Sequence, residues 1–239
     1  MIQFSNIKIV LVETSHPGNI GSVARAMKTM GFYNLNLVDP KCKINEISYA
    51  MASNAGDVLD NAKVFKNLSE VIGNCNYVIG ATARQRDIPI EIINPRDFAK
   101  KVNKDSHETI AIVLGNEARG LTNNQLSKCS LGLHIPSNKE YTSLNIASSL
   151  QIILYEILFE SEKSASSINK IDKSNIAENK KLVGFFTHLN KILKDINFIK
   201  DDRPMISRKV NHIFKKANLT EEEINILRGI LTAIENHSQ

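Results

Sequence analysis

Several classes of protein are excluded by what this sequence lacks. It has no apolar run long enough to cross a membrane, and its first residues lack the basic segment and apolar core of a secretory signal. We therefore expect a soluble, cytoplasmic protein with no membrane partner. Its three cysteines, Cys42, Cys75 and Cys129, are far apart and odd in number, which excludes a full disulfide framework. The six histidines show no ligand spacing, and we predict no metal site.

Two common nucleotide-binding signatures are also missing. The chain contains no G-x-G-x-x-G string, and the loop from Gly115 to Gly120 is followed by Leu121 where a phosphate-binding loop needs its lysine. A nucleotide-dependent α/β enzyme is therefore disfavoured. Judged by its glycines alone, this loop is no more than two tight turns, because glycine takes positive φ at little cost.

The sequence does contain enough apolar residues for a core, together with a modest positive charge. Hydrophobic residues make up 42% of the chain, which is ample for a packed domain. The net charge of +5 favours an anionic partner, although such a balance is common among soluble proteins. With no tryptophan and only 6% aromatic residues, the chain is not suited to extensive stacking on nucleic-acid bases.

Short β-branched runs alternate with helical segments along the first 160 residues. The pattern predicts strands at 7–12, 35–38, 77–81, 110–114 and 131–135, and helices at 19–30, 69–74, 95–101 and 143–160, with helix and loop at 44–66. This alternation predicts an α/β fold with a mostly parallel sheet covered on both faces. Asn19 and Ser143 are candidate N-caps as well as candidate functional residues, and Gly31 should end the first helix.

A polar segment separates this region from a helical tail. We predict a domain over residues 1–160, a flexible linker over 161–178 and a helical extension over 179–239, whose last helix opens with a capping box of Thr220 and Glu223. Residues 203–216 include no acidic residue and carry either a solvated helix face or a strip that contacts RNA phosphates. The cations of this stretch are Arg203, Arg208, Lys209, Lys215 and Lys216.

Three segments resemble, in the right order, the motifs of a known superfamily. NIGSVAR at 19–25, IVLGNEARGL at 112–121 and IPSNKEYTSLNIASSLQI at 135–152 are similar to the three motifs of the SPOUT RNA methyltransferases. The strings VETSHPGNIGSVARAMKTMGF, GATARQR and EEEINILRGILTAI narrow the resemblance to the TrmJ family of tRNA 2′-O-ribose methyltransferases. The similarity spans nearly the whole chain except the segment around 161–178.

The resemblance implies a fold, a reaction and partners. The fold would be a SPOUT-type parallel sheet with a C-terminal trefoil knot plus a small α-helical extension, assembled as a homodimer through the helix that bears Arg25 and the helix at 143–160. The reaction would move a methyl group from S-adenosyl-L-methionine to the ribose 2′-hydroxyl of nucleotide 32, a cytidine or uridine, in the tRNA anticodon loop, leaving S-adenosyl-L-homocysteine. The partner would be tRNA and not DNA, because only RNA carries that hydroxyl. Action on rRNA or another tRNA position, or a noncatalytic RNA-binding role, stays open.

The same resemblance implies roles for individual residues. Arg25 would stabilise the developing alkoxide and an adjacent phosphate, and Asn19, Ser143 and Asn145 would complete the catalytic set. Glu117 matches the acid of the second motif, although a residue there can also simply hold the glycine turn. The residues that would line the cofactor are Ala81, Thr82, Ala83, Gly115, Glu117, Ile135, Thr142, Ser143 and Leu144. The RNA contacts would be Arg25, Arg84, Arg86, Arg208, Lys209, Lys215 and Lys216.

Overall fold

The structure is a computed structural model that describes residues 3–83, 89–104, 108–138, 140–165, 177–199, 204–217 and 219–237. Its strands are β1 (Ile7–Val12), β2 (Leu35–Val38), β3 (Lys63–Phe65), β4 (Tyr77–Ala81), β5 (Ile92–Ile93), β6 (Ile110–Leu114) and β7 (Leu131–Leu133). They form one sheet in the order β3-β2-β1-β6-β4-β7-β5, and every pair of neighbours is parallel. The predicted α/β architecture with a parallel sheet is therefore confirmed.

The helices cover both faces of this sheet. They are α1 (Pro17–Thr29), α2 (Glu46–Ala52), α3 (Gly56–Asp60), α4 (Leu68–Ile72), α5 (Pro95–Lys104), α6 (Asn123–Ser127), α7 (Ile146–Ala165), α8 (Asn179–Asp195), α9 (Pro204–Lys216) and α10 (Glu221–His237). The odd-numbered side chains of β1 join a core under α1, α2, α3, α5 and α7, while Val10 and Val12 join a second core under α4 and α6. This division follows from the alternation of side chains along a strand. None of the helices described is long and apolar enough to span a membrane.

The central strands fix where loops can meet. In register, Ile7 of β1 lies beside Ile110 of β6, and Leu11 lies beside Leu114. Because all strands run the same way, the loops that follow β1, β4, β6 and β7 leave from one edge of the sheet. In open parallel sheets this edge is where ligands bind.

The two ends of α1 show one wrong prediction and one confirmed prediction. Asn19 does not cap the helix, which begins two residues earlier at Pro17, where the His16 Nδ1 accepts a hydrogen bond from the Gly18 amide. Proline suits this first turn because its missing N–H would have had no helical partner. At the other end Gly31 has a φ of +81°, and the Phe32 amide bonds the Met27 carbonyl, which closes the helix as expected.

The boundaries of other elements differ from the sequence prediction for physical reasons. The segment 44–66 contains α2 and α3 but ends in β3, a strand whose residues are mostly exposed and so lack an apolar signature. β5 has only two residues, which is too short for any periodic pattern. β7 ends at Leu133 rather than at residue 135, and α7 begins at Ile146 rather than at residue 143. The linker predicted to start at 161 starts later, because α7 continues to Ala165 with Ser161 buried.

The C-terminal helices form a small apolar core of their own and also contact the sheet domain. Phe185 of α8 lies edge-on to Phe214 of α9 at 5.1 Å between ring centroids, and Thr220 and Glu223 form the predicted capping box. At the start of α8 the amides of Asn179 and Lys180 donate to the carbonyls of Cys75 and Gly73, both at 2.6 Å. The first amides of α8, which have no partner within their own helix, thereby bond carbonyls of the segment that directly follows α4.

Candidate active site

A cleft of about 370 Å³ opens at the carboxyl edge of the sheet. It lies between the ends of β4, β6 and β7, the first turn of α1 and the loop that leads into α7. All the residues predicted from resemblance to line a cofactor lie in its wall, and so do Asn19 and Asn145. The predicted cofactor residues are Ala81, Thr82, Ala83, Gly115, Glu117, Ile135, Thr142, Ser143 and Leu144.

The glycine loop after β6 is shaped by two different constraints. Gly120 has a φ of +68°, a conformation that L side chains rarely adopt. Gly115 has an ordinary φ, and crowding explains its identity instead. A Cβ atom at Gly115 would lie 2.2 Å from both the Gly120 carbonyl carbon and the Leu121 nitrogen. The loop therefore folds back on itself so tightly that only glycine fits at its start.

A line of hydrogen bonds joins the three sequence motifs across the cleft. The Asn19 Nδ2 donates to the Glu117 Oε1 at 3.0 Å, and the Asn145 Nδ2 donates to the Asn19 Oδ1 at 3.1 Å. Ser15 adds its amide at 3.1 Å and its hydroxyl at 2.9 Å to the Glu117 Oε2. Side chains that are far apart in sequence thus fix one another in a single arrangement.

The surroundings of Glu117 keep it ionised. Partial burial alone would raise the pKa of this carboxyl, yet hydrogen bonds from Asn19, from its own backbone amide and from Ser15 together lower it below the usual range for glutamate. A carboxylate that already accepts several hydrogen bonds and has a lowered pKa is a poor proton acceptor. Its geometry suits a residue that orients its neighbours.

Asn145, rather than Ser143, caps the helix that leaves the site. The Asn145 Oδ1 accepts a hydrogen bond from the Ala147 amide at 2.8 Å, and the Asn145 carbonyl accepts one from the Ser149 amide at 2.9 Å. The interpretation of Ser143 as a simple N-cap is therefore wrong. Ser143 lies exposed in the wall of the cleft, two residues before the cap.

The wall formed by the end of β4 is clamped to β7. The Thr82 amide donates to the Leu133 carbonyl at 2.8 Å, and the Thr82 carbonyl lies 3.1 Å from the His134 Nδ1. The amide and the carbonyl of Thr82 are thus both held by the end of the neighbouring strand. This contact fixes the backbone of a predicted cofactor-lining segment.

Glu13 is an important residue that the sequence did not single out. It directly follows β1 with a φ of +54°, and its carboxylate pairs with Arg119 and accepts a hydrogen bond from the Gln125 Nε2 at 3.2 Å. Its carbonyl accepts a bond from the Asn116 Nδ2 at 2.8 Å. Glu13 therefore fastens the glycine loop to the end of β1. In the sequence, the only indication of this role is that Glu13 directly follows a buried strand.

The predicted cations are distributed over several places. Arg25 is exposed on α1 and does not line the cleft; it lies six residues beyond Asn19, roughly 9 Å along the helix axis. Among the lining residues that the structure describes, Arg119 is the only cation. Arg84 and Arg86 fall outside the described residues. On α9, Arg208, Lys209 and Lys216 are exposed, whereas Lys215 turns towards the sheet domain.

Comparisons with known proteins agree with this geometry. Residues 6–155 match the model of the SpoU rRNA Methylase family, and residues 180–239 match the model of the TrmJ C-terminal domain. The tRNA (cytidine/uridine-2′-O-)-methyltransferase TrmJ of Sodalis glossinidius is 40% identical over 239 residues, covering 98% of this chain and 92% of that protein. The crystal structure of TrmJ from Z. mobilis ZM4 has a TM-score of 0.82 at 28% identity, covering 95% of this chain and 98% of its own. A probable methylase family protein from Haemophilus influenzae Rd KW20 has a TM-score of 0.67 at 40% identity, covering 98% of both chains.

Proposed function

The chain belongs to the SpoU rRNA methylase family and carries the TrmJ C-terminal domain, and on that premise we propose that it methylates the ribose 2′-hydroxyl of nucleotide 32, a cytidine or uridine, in the tRNA anticodon loop. The observation that carries this proposal is the cleft in which Glu117, Asn19 and Asn145 join three motifs by hydrogen bonds. The TrmJ relatives are matched over nearly their full length, including the C-terminal helices. That match favours tRNA over rRNA, and we place the reaction in the cytoplasm.

The residues of the cleft suit S-adenosyl-L-methionine as methyl donor. A cleft of about 370 Å³ is within the usual range for small ligands. Its wall combines small residues, such as Ala81 and Ser143, with apolar ones, such as Ile135. Glycine at position 115 keeps the loop folded in this wall, because a Cβ there would meet backbone atoms of the loop itself. When bound, this donor supplies a methyl group activated by a sulfonium charge and leaves as S-adenosyl-L-homocysteine.

The chain's own residues would orient the ribose and favour loss of its proton. The Arg25 guanidinium would stabilise the negative charge that develops on the 2′-oxygen and hold an adjacent phosphate. Ser143, exposed in the cleft wall, would hydrogen-bond near the reacting oxygen. Asn19 and Asn145 would keep the cleft in one shape, with Glu117 as their fixed anion.

A homodimer is also part of this proposal. On α7 the side chains of Ile152, Tyr155 and Phe159 are 37%, 50% and 41% exposed, and they lie on one face of the helix. An apolar stripe of this kind is suited to an interface with a second copy. Tyr155→Glu should convert the dimer to a monomer in light scattering, and Val64→Glu on the exposed strand β3 should not.

The proposal also covers the knotted topology of the sheet domain, the domain boundaries and the RNA contacts of the C-terminal extension. We propose the trefoil knot that the SPOUT resemblance implies; the placement of β7 between β4 and β5, two strands that precede it in the chain, is compatible with that topology. We further propose that the methyltransferase domain, expected to end at residue 160, extends to the end of α7 at Ala165, and that residues 179–239 form the extension. The linker expected over 161–178 is therefore shorter, since 161–165 are helical and the Ala177 amide already bonds the Leu219 carbonyl of the extension. The exposed Arg208, Lys209 and Lys216 of α9 would contact tRNA phosphates.

Transfer of label from tritiated S-adenosyl-L-methionine tests the function. We expect incorporation into a tRNA with cytidine or uridine at position 32, and none into the same tRNA with a single 2′-deoxy nucleotide there. Persistent incorporation into the deoxy tRNA would indicate another position, and incorporation only into rRNA would indicate the sister activity. A protein that binds tRNA but neither the donor nor its product would be a noncatalytic binder.

A further inference from the structure

Lys215 occupies a different place from the other cations of α9. Its Nζ donates to the Ser127 carbonyl at 2.7 Å and lies 5.8 Å from the centre of the Phe186 ring. Burial lowers the pKa of Lys215, and the nearby Cys129 opposes that shift. Its neighbour Lys216 is exposed, and its Nζ lies 4.0 Å from the Glu91 Oε2, away from α6. Lys215 therefore contacts the sheet domain and is not presented on the outer surface of the extension.

The carbonyl that Lys215 contacts belongs to the end of α6. The last carbonyls of a helix have no partner within the helix, and a lysine placed there also faces the negative end of the helix dipole. The Lys128 Nζ donates to the Ser69 Oγ of α4 at 3.1 Å, next to the place where α8 docks. The end of α6 is thus held at a junction between the two parts of the chain.

The rest of α6 connects to the cleft. Gln125 reaches the Glu13 carboxylate, which also pairs with Arg119 of the glycine loop. Leu126 packs so closely on β4 that a Cβ at Gly80 would lie 2.6 Å from its Cδ1. Both the glycine loop and the end of β4 line the cleft. This short helix therefore contacts Lys215 at one end, and elsewhere it contacts Glu13 and Gly80, which adjoin the cleft residues Arg119 and Ala81.

We propose that Lys215 is a positioning residue that holds α6, and through it the glycine loop, in the shape that binds the cofactor. The helical extension would then have two roles: its outer cations contact tRNA, and its inner lysine supports the cleft. This inference rests on the proposed function for the identity of the ligand, but the support of α6 itself can be measured without any ligand.

Hydrogen exchange and calorimetry on the full-length protein test this role. Lys215→Met keeps most of the side-chain length but leaves the Ser127 carbonyl without its donor. In the absence of ligand, we expect the amides of Leu126, Lys128 and Cys129 to exchange about fivefold faster or more, as expected for the loss of one hydrogen bond. The Kd for S-adenosyl-L-homocysteine should rise by a similar factor, and the affinity for tRNA should change by less than about twofold.

Two matched variants make the result decisive. Lys216→Met removes the adjacent exposed cation and its ion pair with Glu91, neither of which contacts α6, and should leave both exchange in α6 and cofactor affinity unchanged. Lys215→Arg can still donate to the carbonyl and should restore most of the wild-type behaviour. Weakened tRNA binding with unchanged exchange and cofactor affinity would overturn the proposal and make Lys215 an RNA contact. A wild type that binds no S-adenosyl-L-homocysteine would overturn the proposed function instead, while the exchange result would still test the support of α6.

Discussion

The cleft and the C-terminal extension are held together in different ways. In the cleft, hydrogen bonds join residues 98 and 126 positions apart, Asn19 to Glu117 and Asn19 to Asn145. In the extension, a small apolar core is supplemented by shorter-range contacts, such as His188 to Glu235, 47 positions apart. A single change in the cleft should therefore disturb several segments at once. The extension should tolerate substitutions on its outer face, where function depends on charge more than on shape.

Removing the Arg25 guanidinium should give the largest effect on activity. Arg25→Ala is expected to slow methyl transfer about 10²- to 10³-fold, the usual cost of losing one group that stabilises a developing oxyanion. Because Arg25 is exposed and outside the cleft wall, the Kd for S-adenosyl-L-homocysteine should hardly change. Single-turnover transfer and calorimetry measure the two quantities separately.

Lys28→Met is the control for Arg25. Lys28 lies one turn further along α1 and pairs with Asp57, so its loss should lower stability slightly without slowing transfer. Loss of both transfer and cofactor binding in Arg25→Ala would mean that Arg25 supports the structure of the cleft.

Two glycine substitutions compare the regions directly. Gly115→Ala should weaken cofactor binding at least tenfold and lower the free energy of unfolding by about 1–3 kcal/mol, because the new Cβ meets backbone atoms at 2.2 Å. Gly229→Ala on α10 places its Cβ in open space and should raise stability by about 0.5–1 kcal/mol. Urea unfolding and calorimetry provide both measurements. Equal effects at the two sites would contradict the contrast between a crowded cleft and an open helix face.

The family resemblance named residues that do meet in one cleft, whereas local sequence patterns missed individual contacts. Short motifs place small residues and turns directly after the strands, and the parallel sheet then brings those turns together. The bond from Asn19 to Glu117 depends on the register between β1 and β6, which no local pattern contains. Without that register, only the general preference of asparagine for helix N-termini was available, and it wrongly predicted that Asn19 caps α1. The crowding at Gly115 is likewise a property of the folded loop, whereas sequence reasoning considered only glycine's backbone freedom.

The cations of α9 show that the sequence of one helix cannot predict which of its charged side chains are exposed. Arg208 lies two turns before Lys215 on the same side of the helix, yet it is exposed while Lys215 contacts Ser127. The two cations differ in exposure because the end of α6 packs against Lys215 and not against Arg208. That neighbour is 88 positions away in the chain, so the sequence of α9 alone could not distinguish the two residues.

Neutralising the outer cations should weaken tRNA binding moderately. The double variant Arg208→Gln, Lys209→Gln is expected to lower tRNA affinity about five- to tenfold and to reduce the slope of log affinity against log salt by about 1.5–2. Cofactor affinity should not change, because neither residue lies at the cleft. The control Lys63→Gln, Lys66→Gln removes the same charge from the opposite end of the sheet domain. An equal loss in the control would show a response to net charge and not to a specific surface.

The smallest expected effect concerns the pH dependence of Glu117. Its folded-state pKa is lowered, so its ionised form adds stability above the ordinary glutamate pKa of about 4.3, and that contribution is lost as pH falls through the folded value. Wild type should exceed Glu117→Gln by about 2–4 °C in Tm near neutral pH, and the gap should close under acid conditions. In an Asn19→Ala background one donor to Glu117 is missing, so the gap should be smaller and should close at a higher pH. A gap that stays constant from neutral to acid pH would mean that shape, and not charge, determines the role of Glu117 in the cleft.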